Sequence, residues 1–344
     1  MNSHPPRLPG QPGRRGRILA AAILAFSGLP AADLAAQSGL GGSVYQRGGP
    51  AAPAGVPVPA VVAEQGGEAA QQAGSSAEDA GRAERIVAAA LAGLGKAESI
   101  SARVRQLARV GDTVLKGGGR YLQSGTGEDQ RFRFESRLSA ETEEFEVLEV
   151  SDGLFFWSYR KLGQQPPSVT RVDIRRVRER LQVLNVPEQD AASPYLGGIQ
   201  RSLALVREWF RFVSVSAAAI DDVPVWNIEG RWNGKELANL LPAQAEAINS
   251  AAGIAAADLP EGMPWSVRLS IGKRELFPFR IEWLAIPGQR PVAAATPEVV
   301  AVLELYDVRM GEPVDATAFV YKPATEGLMD VSEDACRGLR QLRP

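Results

Sequence analysis

Apolar and polar positions alternate over long stretches of this chain, which is the side-chain period of a strand rather than of a helix. In RFRFESRL, Phe132, Phe134, Ser136 and Leu138 share one parity and Arg131, Arg133, Glu135 and Arg137 the other, which predicts a half-buried antiparallel strand. ISARVRQ from Ile100 and Glu144-Phe-Glu-Val follow the same rule, and LKGGGRYLQS does so on either side of Gly117-Gly118-Gly119. In EVLEVSDGLFFWSYRKLG, Asp152-Gly153 is a turn dipeptide between two such runs. The strand after it carries Phe155 and Trp157 on one face and Phe156 and Ser158 on the other. Val169 to Asp173 adds one more strand, so short turns join a meander rather than a parallel α/β sheet.

The period then lengthens. Ile174, Val177, Leu181 and Leu184 predict an amphipathic helix stopped by Pro187, and Ile199, Leu203, Val206 and Phe210 predict a second over Gly198 to Phe210. An earlier helix is predicted over Arg82 to Glu98, with Ile86, Ala89, Ala90 and Leu94 on one stripe. Strands resume with FRFVSVS and VPVWNIEGRW, Lys235 to Ser250 reads as helical, and WSVRLSIG, FPFRIEWLAI, VVAVLELYDV and AFVYKP read as strands. No repeat of 20–50 residues is present, which excludes a solenoid or propeller. The pattern predicts an α+β domain over residues 81–344.

The N-terminal residues change the picture of where the chain works. Arg14, Arg15 and Arg17 precede a short apolar run, Ile18 to Leu29, and then small residues around Ala36, which reads as an export signal over residues 1–36 cleaved after Ala36. An uncleaved anchor is the alternative, but the run is shorter than the about 20 residues of a spanning helix. Residues 37–80 are rich in Gly, Ala, Pro, Gln and Ser without apolar periodicity, and read as a disordered linker. A periplasmic or secreted protein is expected.

Charge and composition then exclude function classes. Without residues 1–36 the chain has 34 basic and 39 acidic residues, a net charge of −5 that argues against nucleic acid as a partner. The one histidine, His4, lies in the signal, which removes histidine-based nucleophilic catalysis and histidine zinc sites. One cysteine, Cys336, leaves no internal disulfide and no thiolate metal site.

In element order the chain resembles the periplasmic outer-membrane lipoprotein-carrier family, the LolA-like proteins. The likeness rests on a helix feeding an alternating strand over Ala83 to Val110, on GGGRYLQS, on the VSDGLFFWSY hairpin, and on the ending LELYDVRMGEPVDATAFVYKPATEGLMDV. The central helices and the Trp232 to Pro264 region are longer than a minimal carrier needs. The resemblance implies a strongly curved antiparallel β-sheet, a half-barrel, with helices covering the concave side. It also implies a non-catalytic lipid or lipoprotein carrier.

On that expectation the groove candidates are Tyr121, Phe132, Phe134, Phe155, Trp157, Trp265, Phe279, Ile281 and Trp283, set among further strand aromatics at Phe145 and Trp226. An ordinary sheet core uses the same residue types. Gly117–Gly119 lacks the following helix and Lys-Ser/Thr of a phosphate loop, and reads as a bulge or sharp bend. The arginines from Arg171 to Arg180 fall on the outer face of a helix, a solvated face or a contact for anionic headgroups or an acidic partner. Asp221-Asp222 reads as a turn, and a hydrolase built on paired carboxylates is the remaining enzymatic alternative. No cofactor and no metal are expected. The expected partner is a lipid or acylated lipoprotein, the alternative is an envelope protein bound by a sensor or structural module of the same fold, and the expected state is a monomer.

Overall fold

The computed structural model describes residues 66–110, 113–140, 143–185, 193–250, 253–260, 262–286, 297–323 and 327–339. The expected export signal, His4, Pro187 and the expected linker up to residue 65 lie outside the described residues.

Helix α1 (Gly66–Lys96) opens the fold, starting inside the stretch that composition reads as linker. Six strands follow: β1 (Ser99–Val110), β2 (Thr113–Ser124), β3 (Arg131–Ala140), β4 (Glu143–Ser151), β5 (Phe155–Leu162) and β6 (Ser168–Asp173). Three helices come next, α2 (Ile174–Val183), α3 (Ser193–Leu196) and α4 (Gly198–Trp209). After β7 (Phe210–Ile220) and β8 (Val223–Trp232) come α5 (Gly234–Leu240) and α6 (Ala245–Asn249), then β9 (Ser266–Gly272), β10 (Pro278–Ala285) and β11 (Glu298–Met310). Strand β12 (Leu328–Asp330) and helix α7 (Ser332–Gly338) finish the described chain.

The twelve strands of the described residues form one sheet in the order β12-β6-β5-β4-β3-β2-β1-β11-β10-β9-β8-β7, antiparallel except where β12 adds parallel to β6. The turns form for local reasons. Asp152 Oδ1 accepts from the amides of Leu154 (2.8 Å) and Phe155 (2.7 Å), and Gly153 takes φ 94°, which closes the β4–β5 hairpin. Asp221 and Asp222 both have positive φ, 45° and 67°, the two-residue turn whose twist matches the β7–β8 pair. Helix α2 is capped by Asp173, whose carboxylate accepts from Arg175 N at 3.0 Å, and it stops where Asn185 turns to φ 52°.

The sheet is curved, and helix α4 shows by how much. Its first residue, Gly198, sits against Tyr121 of β2 and Phe132 of β3, and its last turn runs straight into β7. Seven strand spacings separate β3 from β7, about 34 Å on a flat sheet. Twelve helical residues span only about 18 Å. The sheet therefore curls, and α4 is a chord across its concave side. Helix α1 lies beside β7 and α4 on that side, and Ala83, Val87, Ala90 and Leu94 are buried in one core with both halves of the sheet.

Pairing with β1 and β3 runs through Gly117–Gly119 without a register shift, so the triplet is not a bulge. A Cβ at Gly117 would overlap the carbonyl of Arg137, at Gly118 that of Val104, and at Gly119 that of Glu135.

Two sequence expectations change. Lys235 to Ser250 is not one helix: the backbone breaks at Leu241-Pro242, because proline cannot supply the amide that would continue α5, and a short 3-10 turn leads into α6. AFVYKP is not a strand: Ala316–Phe319 is a 3-10 turn started by Asp315, which accepts from Thr317 N at 2.9 Å. The last strand is β12, farther along.

Candidate functional site on the concave face

Alternation sends every second residue of each strand toward the helices. On β3 these are Phe132, Phe134, Ser136 and Leu138, all buried, as the sequence predicts. Pairing carries the same face to Tyr121 on β2, to Glu149, Val147 and Phe145 on β4, and on to Phe156, Ser158 and Arg160 on β5. On the other half of the sheet Ile281 and Trp283 lie opposite Leu303 and Ala301 of β11 and Leu269 and Val267 of β9. Tyr121, Phe132, Phe134, Ile281 and Trp283 therefore share the concave face and one continuous core, each at most 4% exposed. Phe132 and Phe156 are in ring contact at 5.9 Å.

The other candidates lie elsewhere. Phe155 and Trp157 point to the convex face, where Arg171 lies over their rings at 4.9 and 5.7 Å and Tyr321 meets Trp157 at 6.0 Å. Phe279 is half-buried at the border of the core, edge-on to Phe277 at 5.3 Å and over Gly272. Trp265 belongs to a separate small cluster with Leu237, Ile248 and Leu259, built by α5, α6 and the loop before β9.

Polar groups enter the concave face at two places. Gln123, Gln130 and Gln200 converge on the C-terminal turn of α1. Gln123 Nε2 donates to Leu94 O at 2.7 Å, Gln200 Nε2 to Gln130 Oε1 at 3.0 Å, and Tyr121 OH to Gln123 Oε1 at 2.6 Å. These amides tie α1 to α4, and burial pushes the Tyr121 phenol far up.

The second place is Glu149, which is fully buried. Its Oε2 accepts from the amide of Gly198 at 2.7 Å, and its Oε1 from Arg160 Nη2 at 3.1 Å. Burial pushes this carboxyl up to about 7, against the opposing pull of Arg160, the Gly198 N–H and Arg201. Burial also lowers Arg201 and raises Glu208 beside it. A free N–H at a helix start is a natural seat for a carboxylate. The seat fits only glycine: a Cβ on Gly197 would lie 2.7 Å from both Glu149 and the Phe156 ring, and Gly198 takes φ 68°.

The convex face is built on charge. Across β8, β9, β10, β11 and β1 runs a ladder Glu229–Arg268–Glu282–Arg280–Glu304–Arg105, with contacts of 3.6, 3.3, 3.7, 3.2 and 3.3 Å. Beside it Arg120 and Arg133 share Glu135. At β4–β5 the face is apolar, around Val150 and Trp157. The segment after β11 crosses it there, with Phe319 fully buried and Arg133 Nη1 donating to Ala318 O at 3.1 Å. Of the arginines expected on the outer face of a helix, Arg175 and Arg176 of α2 are exposed and meet acidic neighbours, Arg176 with Glu333 at 3.3 Å and Arg175 with Asp173 at 3.8 Å, whereas Arg178 and Arg180 are half-buried and Arg171 lies on β6. Cys336 is a free, half-buried thiol pushed up by burial. Among the described residues no group of three or more His, Cys, Asp or Glu side chains is placed to hold a metal ion, and no helix is long and apolar enough to cross a membrane.

Sequence reasoning missed Glu149, Arg160 and the Gly197-Gly198 pair. The signal was there in part: Glu149 has the parity of Phe145 and Val147, and so belongs to the buried set of its strand.

No protein-family model matches the chain, and no curated protein matches it. Solved structures do. It is similar to the Pseudomonas aeruginosa MucA/MucB complex, at 10% identity and TM-score 0.34 over 70% of this chain and 61% of that one. It is similar to a putative outer membrane lipoprotein-sorting protein domain from Vibrio parahaemolyticus, at 10% identity and TM-score 0.28 over 70% and 97%. It is also similar to a LolA superfamily protein from Nitrosomonas europaea, at 11% identity and TM-score 0.21 over 70% and 97%. The chain spans about three-fifths of the length of the two MucB structures it matches, 62% and 61%.

Proposed function

We propose that this is a non-catalytic binding protein of the cell envelope that takes a lipid, or the acyl part of a lipoprotein, between helix α4 and the concave face of the sheet. The observation that carries the reading is the continuous apolar surface of Tyr121, Phe132, Phe134, Phe156, Ile281 and Trp283 under a short helix that meets the sheet at two glycines. An acyl chain buried there gains about 0.8 kcal/mol per CH₂ and needs no catalytic group. The groove candidates then divide. Tyr121, Phe132, Phe134, Ile281 and Trp283 line the site, Phe279 borders it, and Phe155, Trp157 and Trp265 serve other contacts. The export signal and small-residue cleavage site support a periplasmic or secreted location.

Native mass spectrometry of protein purified from its own cell envelope tests this. A polypeptide carrying a co-purifying lipid is the expected result, and its mass also reports whether residues 1–36 have been removed. A bare polypeptide mass, together with no uptake of a fluorescent fatty acid, overturns it. The second reading, a protein-binding module of the same fold, draws support from the same interior: the lining residues already fill one another's space, at most 7% exposed. An acyl chain therefore enters only if α4 moves.

A further inference from the structure

The two edges of the sheet are built differently. At the β6 edge stands β12, three residues long, with Asp330 tied to Arg171 at 2.7 Å. Shortness and charge both blunt an edge against further pairing. At the other edge stands β7, eleven residues long and paired with β8 alone among the described residues. From Phe212 to Ile220 it carries no charge and no proline. Val213, Ser216, Ala217 and Ala219 are exposed although α1 packs beside the strand. Apart from the bulge between Phe212 and Ser214, nothing guards the outer row of backbone amides and carbonyls against a further strand.

Charge stands only at the two ends of this run. Arg211 precedes it, directly opposite Arg231 of β8, and like charges so placed repel. Asp221 and Asp222 follow it, both exposed in the turn. Among the described residues none of these three side chains forms an ion pair. A strand that is basic at one end, acidic at the other and neutral between is complementary to itself run backwards.

We propose that β7 pairs antiparallel with β7 of a second copy of this chain, about a two-fold axis at Ser216, so that two sheets join edge to edge. Around that axis Ala217 meets Val215 and Ala218 meets Ser214 of the other copy, and each Arg211 comes to the other copy's Asp221-Asp222 turn. Parallel pairing in register would set arginine beside arginine and aspartate beside aspartate. The interface is the same patch on both copies, and the blunted β12 edge stops the assembly at two. A dimer takes the place of the monomer expected from the sequence. Nine paired residues span about 30 Å, at the low end of stable interfaces, so a micromolar dissociation constant is expected. The interface lies at the sheet edge, outside the concave face, and does not depend on a lipid being bound there.

Sedimentation velocity on the full chain from about 1 μM to about 500 μM, a range that brackets micromolar affinity, tests this. The wild type should shift reversibly from monomer to dimer. Ser216→Lys, at an exposed position, sets two lysines at the axis and should leave a monomer throughout. Arg211→Glu should weaken the dimer by about tenfold or more, because like charges then meet at both ends. A wild-type monomer at every concentration overturns the proposal. So does a dimer that Ser216→Lys leaves unchanged, since another surface then joins the copies. Hydrogen exchange on the wild type needs no variant: amides of residues 214–220 should slow as concentration rises, while those of residues 177–181 in α2 stay constant. Exchange in β7 that does not change with concentration overturns the proposal as well.

Discussion

Single side chains here act through what they exclude. Gly197 and Gly118 both sit where a Cβ has no room, but their obstacles differ. At Gly197 the obstacles are a carboxylate and a phenyl ring, which can shift; at Gly118 the obstacle is the carbonyl of Val104 in the next strand, which cannot shift without distorting the sheet. Gly197→Ala should therefore cost about 1–3 kcal/mol, and Gly118→Ala more, read from urea unfolding midpoints. Asp222 holds φ 67° in a tight hairpin, so Asp222→Gly relieves backbone strain and should raise stability by up to about 1 kcal/mol, read as a higher urea midpoint. The buried Glu149 gives unfolding its own pH dependence. Its folded-state pKa is raised, so its contribution is complete below the ordinary carboxylate range and is lost as pH rises through about 7. Glu149→Gln should flatten the urea midpoint over that window. Parity along β4 assigns Glu149 to the inside, but one of its two hydrogen-bond partners, the Gly198 amide, lies 49 residues away on α4, and no local pattern encodes a contact at that separation.

At the scale of elements, β12 and α7 depend on one carboxylate. Asp330 accepts from Ser332 Oγ at 2.6 Å and from Arg171 Nη2 at 2.7 Å, and these bonds, Ser332 first, hold its pKa down to about 2. Its folded pKa is depressed, so its contribution is present above the ordinary aspartate range and is lost as pH falls toward 2. The group is partly exposed, so the effect is small, at most about 1 kcal/mol. Asp330→Asn should leave the global midpoint nearly unchanged while making residues 327–339 more open to limited proteolysis at neutral pH. An unchanged cleavage pattern would show that Ser332 and Arg171 hold this edge without it. The longer elements were legible beforehand because their burial follows a single period, as in β3 and α2. The helix over 235–250 and the strand over AFVYKP failed where that period was interrupted, by Pro242 in one case and by the Asp315 cap in the other.

For the whole molecule, the two faces of the sheet have different adhesives. The convex face carries a lattice of ion pairs and, at β4–β5, an apolar window closed by the segment that carries Phe319 and Tyr321. A chain ending at Gly311 should therefore bind a hydrophobic dye such as ANS on folding, where the full chain does not, and should show altered Trp157 fluorescence. Absence of dye binding in a folded truncation would mean that the window closes on itself.

The sequence by itself determined most of the strands and the helices α2 and α4, which parity of those strands is apolar, that no histidine follows His4 and no second thiol accompanies Cys336, and that the aromatics after Asp152-Gly153 divide between two faces. Those properties follow from local periodicity and composition. Only the tertiary structure decided which of the two faces lies under the helices. It sent Phe156 inward against Phe132, and Phe155 and Trp157 outward beneath Arg171 and Tyr321. Alternation is symmetric about a strand, so nothing within β5 distinguishes its sides. The distinction is made by the direction in which twelve strands curl, and by a helix far along the chain whose glycine start fits over Glu149 on one side alone.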